Sequence, residues 1–131
     1  MTNKKEAATR ERVLAYAAEQ YGTQPEYLWM TAPEDAVLRH PNGKWYGIIM
    51  KVKSEKLGLA GDFTDVLAAK CERGLQPLLL TQEGFLPAYH LNKEHWVSAR
   101  LDGSASMQDV RALLDMSFEL VTHPAPRRSR N

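Results

Sequence analysis

The strongest local signal in the chain is the stretch at residues 36–53, which reads AVLRHPNGKWYGIIMKVK. Two strand-like runs flank Asn42-Gly43, a pair that favours a tight turn with positive φ. The stretch therefore predicts a β-hairpin. Side chains alternate between the two faces of a strand. In the second arm we expect Tyr46, Ile48, Met50 and Val52 on the core face, and Trp45, Gly47, Ile49, Lys51 and Lys53 on the other.

Helices are predicted at both ends of the chain. Thr2 or Asn3 is placed to cap a first helix that runs to about Tyr21, where Gly22 ends it. Its apolar stripe comprises Ala7, Val13, Leu14, Ala17 and Ala18. Ser104 or Ser106 is placed to cap the last helix. That helix has an apolar face at helical spacing, made of Met107, Val110, Leu113, Leu114, Phe118 and Val121.

The segments between these elements predict the rest of the sheet. Residues 65–71 and the run from His95 or Trp96 to Leu101 indicate strands, and residues 75–81 indicate a short helix. Residues 23–35 indicate an extended connection, pinned to the core by Tyr27, Leu28 and Trp29. The pattern predicts an α+β fold: a mostly antiparallel sheet with the N- and C-terminal helices packed on one face and the other face open.

Composition limits the class of protein. The 131 residues fit a single domain, expected at residues 1–122, followed by a disordered basic tail at residues 123–131. The net charge of +1 supplies no attraction to nucleic acid over the whole protein, so any such attraction has to be local. One cysteine, no secretory signal and no apolar run long enough to span a bilayer predict a cytoplasmic protein without membrane contact.

Aromatic and basic side chains share predicted strand faces. Trp45, Lys51 and Lys53 lie on one, and Trp96, Ser98 and Arg100 lie on another. If the two faces coincide, the open side of the sheet has the rings to stack bases and the cations to neutralise phosphates. The alternative is that both tryptophans are buried under loops and the cations are only solvated.

Signals for catalysis and for metals are weak. His90 and His95, with Glu94 between them, do not have the spacing of the HExxH motif, and opposite parity in an extended segment sends the two rings to opposite faces. Cys71 has no base placed beside it by the sequence. No phosphate-binding glycine loop and no nucleophile-elbow motif occur. We therefore expect neither catalytic residues nor a cofactor.

Several motifs occur in an order that resembles the MmcQ/YjbR family over residues 10–122. The most specific is the run from His90 to Trp96, followed by Leu101-Asp102-Gly103. Supporting blocks are Pro25 to Trp29, Lys44-Trp45-Tyr46, Lys56-Leu57-Gly58-Leu59, Lys70-Cys71, Pro87-Ala88-Tyr89 and Ser117-Phe118. Leu91 departs from the methionine that is usual in the family, and Phe118 from the usual tyrosine.

The resemblance implies a CyaY-like fold, also compared with secretion chaperones, in small bacterial proteins described as DNA-binding through two wings. The Asn42-Gly43 hairpin is then one wing and the loop around Asn92-Lys93 the other. The expected phosphate contacts are Arg39, Lys44, Lys51, Lys53, Lys93 and Arg100. The expected recognition residues are Trp45, His90, Asn92, His95 and Trp96. A rival hypothesis is a protein-interaction or chaperone-like module that binds a protein partner on the same face.

Overall fold

A computed structural model describes residues 6–123, which form one five-stranded antiparallel sheet in the order β1-β2-β3-β5-β4. The strands are β1 (Ala36–Arg39), β2 (Trp45–Lys53), β3 (Phe63–Lys70), β4 (Phe85–Pro87) and β5 (Trp96–Arg100). The helices are α1 (Arg10–Tyr21), α2 (Gln76–Leu79) and α3 (Met107–Thr122), and a 3-10 turn covers Ser54–Leu57. The α+β prediction is confirmed. Of the tail predicted at residues 123–131, residues 124–131 lie outside the described residues.

The first helix starts later than predicted. Thr9 is its N-cap, and the Thr9 side chain accepts a hydrogen bond from the amide of Arg12. The preceding backbone forms hydrogen bonds with the segment at the start of α3 instead of helical ones. Ala8 N–H donates to Ala105 O at 2.9 Å, and Glu6 O accepts from Met107 N–H at 2.7 Å. A start at Thr2 or Asn3 is therefore wrong. The predicted end is confirmed, with Gly22 at φ 68°.

The hairpin is confirmed, but a β-bulge changes its faces. Leu38 pairs with Gly47 and Arg39 pairs with Trp45, so Tyr46 is an extra residue on β2. A bulge of this kind disrupts the regular alternation of side chains. The Tyr46 ring packs against Tyr21 and Phe118 on the helical side, where Ile49 also lies in the core cluster. The predicted shared face is thus wrong, since Ile48, Met50 and Val52 lie on the opposite side from Tyr46. The expected burial of Ile48 and Val52 is confirmed, because each is 4% exposed.

Both faces of the sheet are covered. On the helical face, α1 and α3 pack on a core that includes Val13, Leu67, Val97, Val110 and Leu114. On the second face, Val37, Val66, Ala68 and Ser98 are at most 1% exposed. The turns and loops lie over this second face, so the expectation of an open face is wrong.

Outside α1 and the hairpin, the structure differs from the sequence-based predictions in two further places. Ser106 caps α3 as predicted, by accepting from the amide of Asp109. Strand β4 was not predicted, and it pairs with β5 from Phe85↔Ala99 to Pro87↔Val97. Tyr27, Leu28 and Trp29 were expected to pack into the core and are instead 52%, 46% and 37% exposed. Within residues 6–123, no helix has the length and apolar character needed to cross a membrane.

Candidate nucleic-acid interface

Three of the six predicted phosphate contacts are cations held by carboxylates. The Arg39 guanidinium donates to both oxygens of Glu26 at 2.9 and 3.0 Å, and these hydrogen bonds lower the pKa of Glu26. Lys51 Nζ lies 3.1 Å from Glu34 Oε2. A charge already balanced by a neighbour attracts a phosphate less than a free one. Arg39 and Lys51 are therefore poor candidates for backbone contacts.

Arg100 is also neutralised locally. Its Nε and Nη2 donate to Asp102 Oδ2 at 2.9 and 2.7 Å. Burial alone would raise the pKa of Asp102, but hydrogen bonds from Ser104 and Arg100 outweigh it and lower that pKa. Arg100 therefore holds the Leu101-Asp102-Gly103 turn in place.

The bulge separates Trp45 from the lysines expected beside it. Lys51 and Lys53 alternate in step with Ile49 and therefore lie on the helical side of β2. Lys51 lies 4.9 Å from the centre of the Phe63 ring, and Lys53 lies beside Glu55 and Asp62. The predicted face of Trp45, Lys51 and Lys53 is therefore wrong.

Trp96, Ser98 and Arg100 share the second face, as predicted. Residues of β2 and β3 lie beside them on that face. The register aligns Arg100 with Val66, and Val66 with Met50. Lys70 pairs with Trp96, and its ammonium lies 5.7 Å from the centre of the indole. Trp96 is half-buried, so its exposed edge is a small target for a ligand.

Two tryptophans line one pocket on the second face. Trp29 and Trp45 pack edge to face, with ring centres 5.9 Å apart and planes at 81°. We call the adjoining cavity, of about 330 Å³, the tryptophan pocket. It is lined by Trp29, Thr31, Ala32, Asp35, Trp45, Ile48, Met50, His90 and Leu91. Trp29 was predicted only as a packing residue, and its place beside two prolines gave no signal that it is exposed.

The loop between β4 and β5 is folded by its own side chains. Asn92 Oδ1 accepts from the amide of Glu94 at 2.7 Å, and Asn92 O accepts from His95 and Trp96. Gln76 in α2 donates to the carbonyls of Lys93 and Glu94. Asn92 was predicted as a recognition residue, and in the structure its side chain shapes the loop.

This loop, β4 and the 3-10 turn line a second cavity, to which two lysines contribute. We call it the basic pocket; its volume is about 430 Å³, and it is lined by Lys56, Leu57, Leu86, Pro87, Ala88, Tyr89, His90 and Lys93. Within residues 6–123, no acidic side chain lines it and no carboxylate pairs with Lys56 or Lys93. The sequence singled out Lys56 only as part of the motif Lys56-Leu57-Gly58-Leu59, because its position in a turn gives no face to predict.

His90 joins the two pockets, since it lines both. It has φ 60°, the left-handed region that non-glycine residues adopt rarely. The Tyr89 and His90 rings lie 4.0 Å apart. Two rings are thus held together at the boundary between the basic pocket and the tryptophan pocket. His95 and Lys44 are exposed at the loop and at the hairpin turn.

Cys71 is poorly placed to act as a nucleophile. Cys71 is 3% exposed, and burial raises the pKa of its thiol. A thiol with a raised pKa carries little thiolate at neutral pH. Among residues 6–123, no three His, Cys, Asp or Glu side chains are grouped so that they could hold a metal ion.

Comparisons with known proteins identify similar chains. The YjbR family model matches residues 18–120. A Bacillus subtilis protein, the uncharacterised protein YyaQ, is 43% identical over 114 residues, which cover 86% of this chain and 97% of YyaQ.

Solved structures have the same fold. A crystal structure of a Pseudomonas syringae protein has a TM-score of 0.81 at 38% identity, covering 86% of this chain and 97% of that one. A solution structure from the same organism has a TM-score of 0.76 at 34% identity, covering 94% and 99%. A Deinococcus radiodurans protein with a DUF419 domain has a TM-score of 0.64 at 21% identity, covering 89% and 80%. At that identity the likeness bears on the fold alone.

Proposed function

The chain belongs to the YjbR family, as its motifs indicated, and from that premise we propose that it is a cytoplasmic DNA-binding protein rather than an enzyme. The observation that carries the proposal is the basic pocket, which Lys56, Lys93 and His90 line and which no acidic side chain of residues 6–123 lines. Ammonium groups that are not neutralised by neighbours are the groups that bind phosphate and release counterions from DNA.

The contact surface is narrower than the sequence indicated. Lys56 joins it, whereas Arg39, Lys51 and Arg100 leave it because each is paired with a carboxylate. In this proposal Lys44 at the hairpin turn contacts DNA from one wing, and Lys93 in the β4–β5 loop contacts it from the other. Phosphate contacts supply affinity and orientation but little sequence information. The expected behaviour is therefore binding that is dominated by the backbone.

A salt titration tests this proposal. With about three phosphates neutralised, the logarithm of affinity for duplex DNA falls with the logarithm of salt concentration at a slope of about −3. Lys56→Ala and Lys93→Ala each weaken binding and reduce that slope by about 1. Lys53→Ala is the matched control, because Lys53 is equally exposed but lies beside Glu55 and Asp62. Absence of binding at low salt, or equal losses in all three variants, would refute the proposal.

A second candidate function is a protein-interaction module. Tyr27, Leu28, Trp29 and Met30 form an exposed apolar run, and Met30 is 96% exposed. Exposed apolar patches are typical of protein-binding surfaces. In a pull-down, Leu28→Ser and Met30→Ser reduce partner capture if this candidate is correct. Both variants leave the salt-dependent binding of DNA unchanged if DNA binding is instead the function.

A further inference from the structure

We propose that the two joined pockets bind single-stranded nucleic acid, with one unpaired base against Trp29 in the tryptophan pocket and phosphates at Lys56 and Lys93. This inference rests on the proposed function and specifies which form of nucleic acid the site takes. Its basis is the shared wall formed by His90, which lines both the cationic and the aromatic cavity.

The tryptophan pocket has the properties of a base-stacking site. Trp29 is 37% exposed, and Trp45 closes the corner at 81° to it. Met50 and Ile48 supply further apolar contact. Stacking on an aromatic side chain suits any base, because every base has a π-face. A base in a duplex has its faces covered by its neighbours, so only an unpaired base can enter.

The charges that line the two pockets suit different parts of a nucleotide: the base in the tryptophan pocket and the phosphate in the basic pocket. Asp35 lines the tryptophan pocket, and its Oδ1 accepts a hydrogen bond from the Lys51 amide at 3.1 Å. A carboxylate there repels phosphate, whereas a neutral base is tolerated. The basic pocket lacks acidic side chains within the described residues, and it attracts phosphate. A nucleotide strand supplies both groups in succession, and His90 lies where they meet.

The site is built from elements that are far apart in the chain. Trp29 comes from the connection before β1, Trp45 and Met50 from β2, and His90 and Lys93 from the β4–β5 loop. Hydrogen bonds from the Gln76 side chain to the Lys93 and Glu94 carbonyls tie the loop to α2. The loop is therefore held in place before the ligand arrives, which reduces the entropy lost on binding.

The experiment compares three ligands by fluorescence anisotropy at fixed low salt. They are a short oligothymidylate, an abasic phosphodiester chain of the same length, and a duplex of the same length. One stacked base makes the oligothymidylate bind about 5- to 150-fold more tightly than the abasic chain. The duplex gains no stacking contact in the tryptophan pocket, because its bases are already stacked, so its binding depends on charge alone.

Variants separate stacking from charge. Trp29→Ala lowers oligothymidylate affinity to the abasic level and leaves abasic binding unchanged, whereas Trp29→Phe retains most of the difference. Leu78→Ala is the control, because Leu78 is 66% exposed in α2 and lines neither pocket. The unfolding midpoint of each variant verifies that the protein remains folded.

The possible outcomes distinguish the base-stacking site from DNA binding itself. Salt-dependent binding of all three ligands with equal affinity overturns the stacking site and leaves the DNA-binding function standing. An equal effect of Trp29→Ala on the abasic chain also overturns the stacking site. Absence of salt-dependent binding to every ligand overturns both.

Discussion

On one face of the sheet, two helices pack their apolar sides against the strands, and on the other, irregular loops lie over strands that are just as deeply buried. Leu67 on the helical face and Val66 on the second face are both fully buried. The coverings differ, because α3 presents a regular apolar face whereas the loops leave the basic pocket and the tryptophan pocket between them. We therefore expect the helical packing to contribute most to stability, and the proposed recognition site lies on the loop-covered face.

The largest expected difference between the two faces is the loss of stability when a large side chain is truncated. Leu114 is fully buried between α3 and the sheet. Leu114→Ala is expected to lower the free energy of unfolding by about 2–5 kcal/mol, the usual cost of a large-to-small change in a core. On the second face, Trp29→Ala is expected to cost less than Leu114→Ala, because Trp29 is already 37% exposed and packs on one side only, against Trp45. Denaturant unfolding measures both, and equal costs would contradict the division of roles.

A sharper test uses two buried serines, one on each face. Ser117 Oγ donates to Tyr46 O at 2.6 Å and accepts from Lys70 N–H at 2.9 Å. These backbone groups lie beside the bulge, where the β2–β3 ladder ends. Ser117→Ala leaves both without a partner and is expected to cost about 2 kcal/mol.

Ser98 is the matched control on the second face. Its hydroxyl is buried and finds no partner within residues 6–123. Ser98→Ala therefore loses no hydrogen bond, and we expect the free energy of unfolding to change by no more than about 0.5 kcal/mol. If Ser98→Ala destabilised the protein as much as Ser117→Ala, the role assigned to Ser117 at the bulge would be wrong.

The smallest expected effect appears only in alkaline solution. Tyr21 joins α1 to α3 by a hydrogen bond to Asp115, and its ring stacks on Phe118. Burial, followed by that hydrogen bond, raises the pKa of Tyr21. A group whose pKa is raised on folding contributes stability that is complete below its unfolded value, about pH 10, and is lost as pH rises further.

Tyr21→Phe removes this ionisation. We expect the loss of stability above about pH 10 to become shallower in the variant, measured by denaturant unfolding at a series of pH values. Tyr27→Phe is the control, because Tyr27 is 52% exposed. Identical alkaline profiles for the wild type and the Tyr21 variant would show that burial of Tyr21 does not govern this pH range.

Local signals predicted most of the fold. The Asn42-Gly43 turn, the Gly22 helix end and the Ser106 cap all depend on residues within a few positions of one another. The start of α1 was missed because Ala7 pairs with Ser106, about a hundred residues away. The three-residue strand β4 was missed because it depends on pairing with β5.

The candidate site was only partly predictable. The sequence singled out His90 and Lys93, and both line the basic pocket. Periodicity gave the wrong partners for Trp45, because one extra residue at Tyr46 reverses the alternation along β2. It also could not distinguish Lys51, which pairs with Glu34, from Lys56, which has no carboxylate partner within residues 6–123, since pairing depends on acids from other segments.

By itself, the sequence determined the family, the hairpin, the terminal helices and the apolar face of the last helix. Turn residues, caps and apolar periodicity are local, and they act through backbone conformations that each short segment already favours. Only the tertiary structure decided which cations are neutralised, which tryptophans are exposed and which pockets adjoin. Those properties depend on distances between segments far apart in the chain, and one bulge was enough to change them.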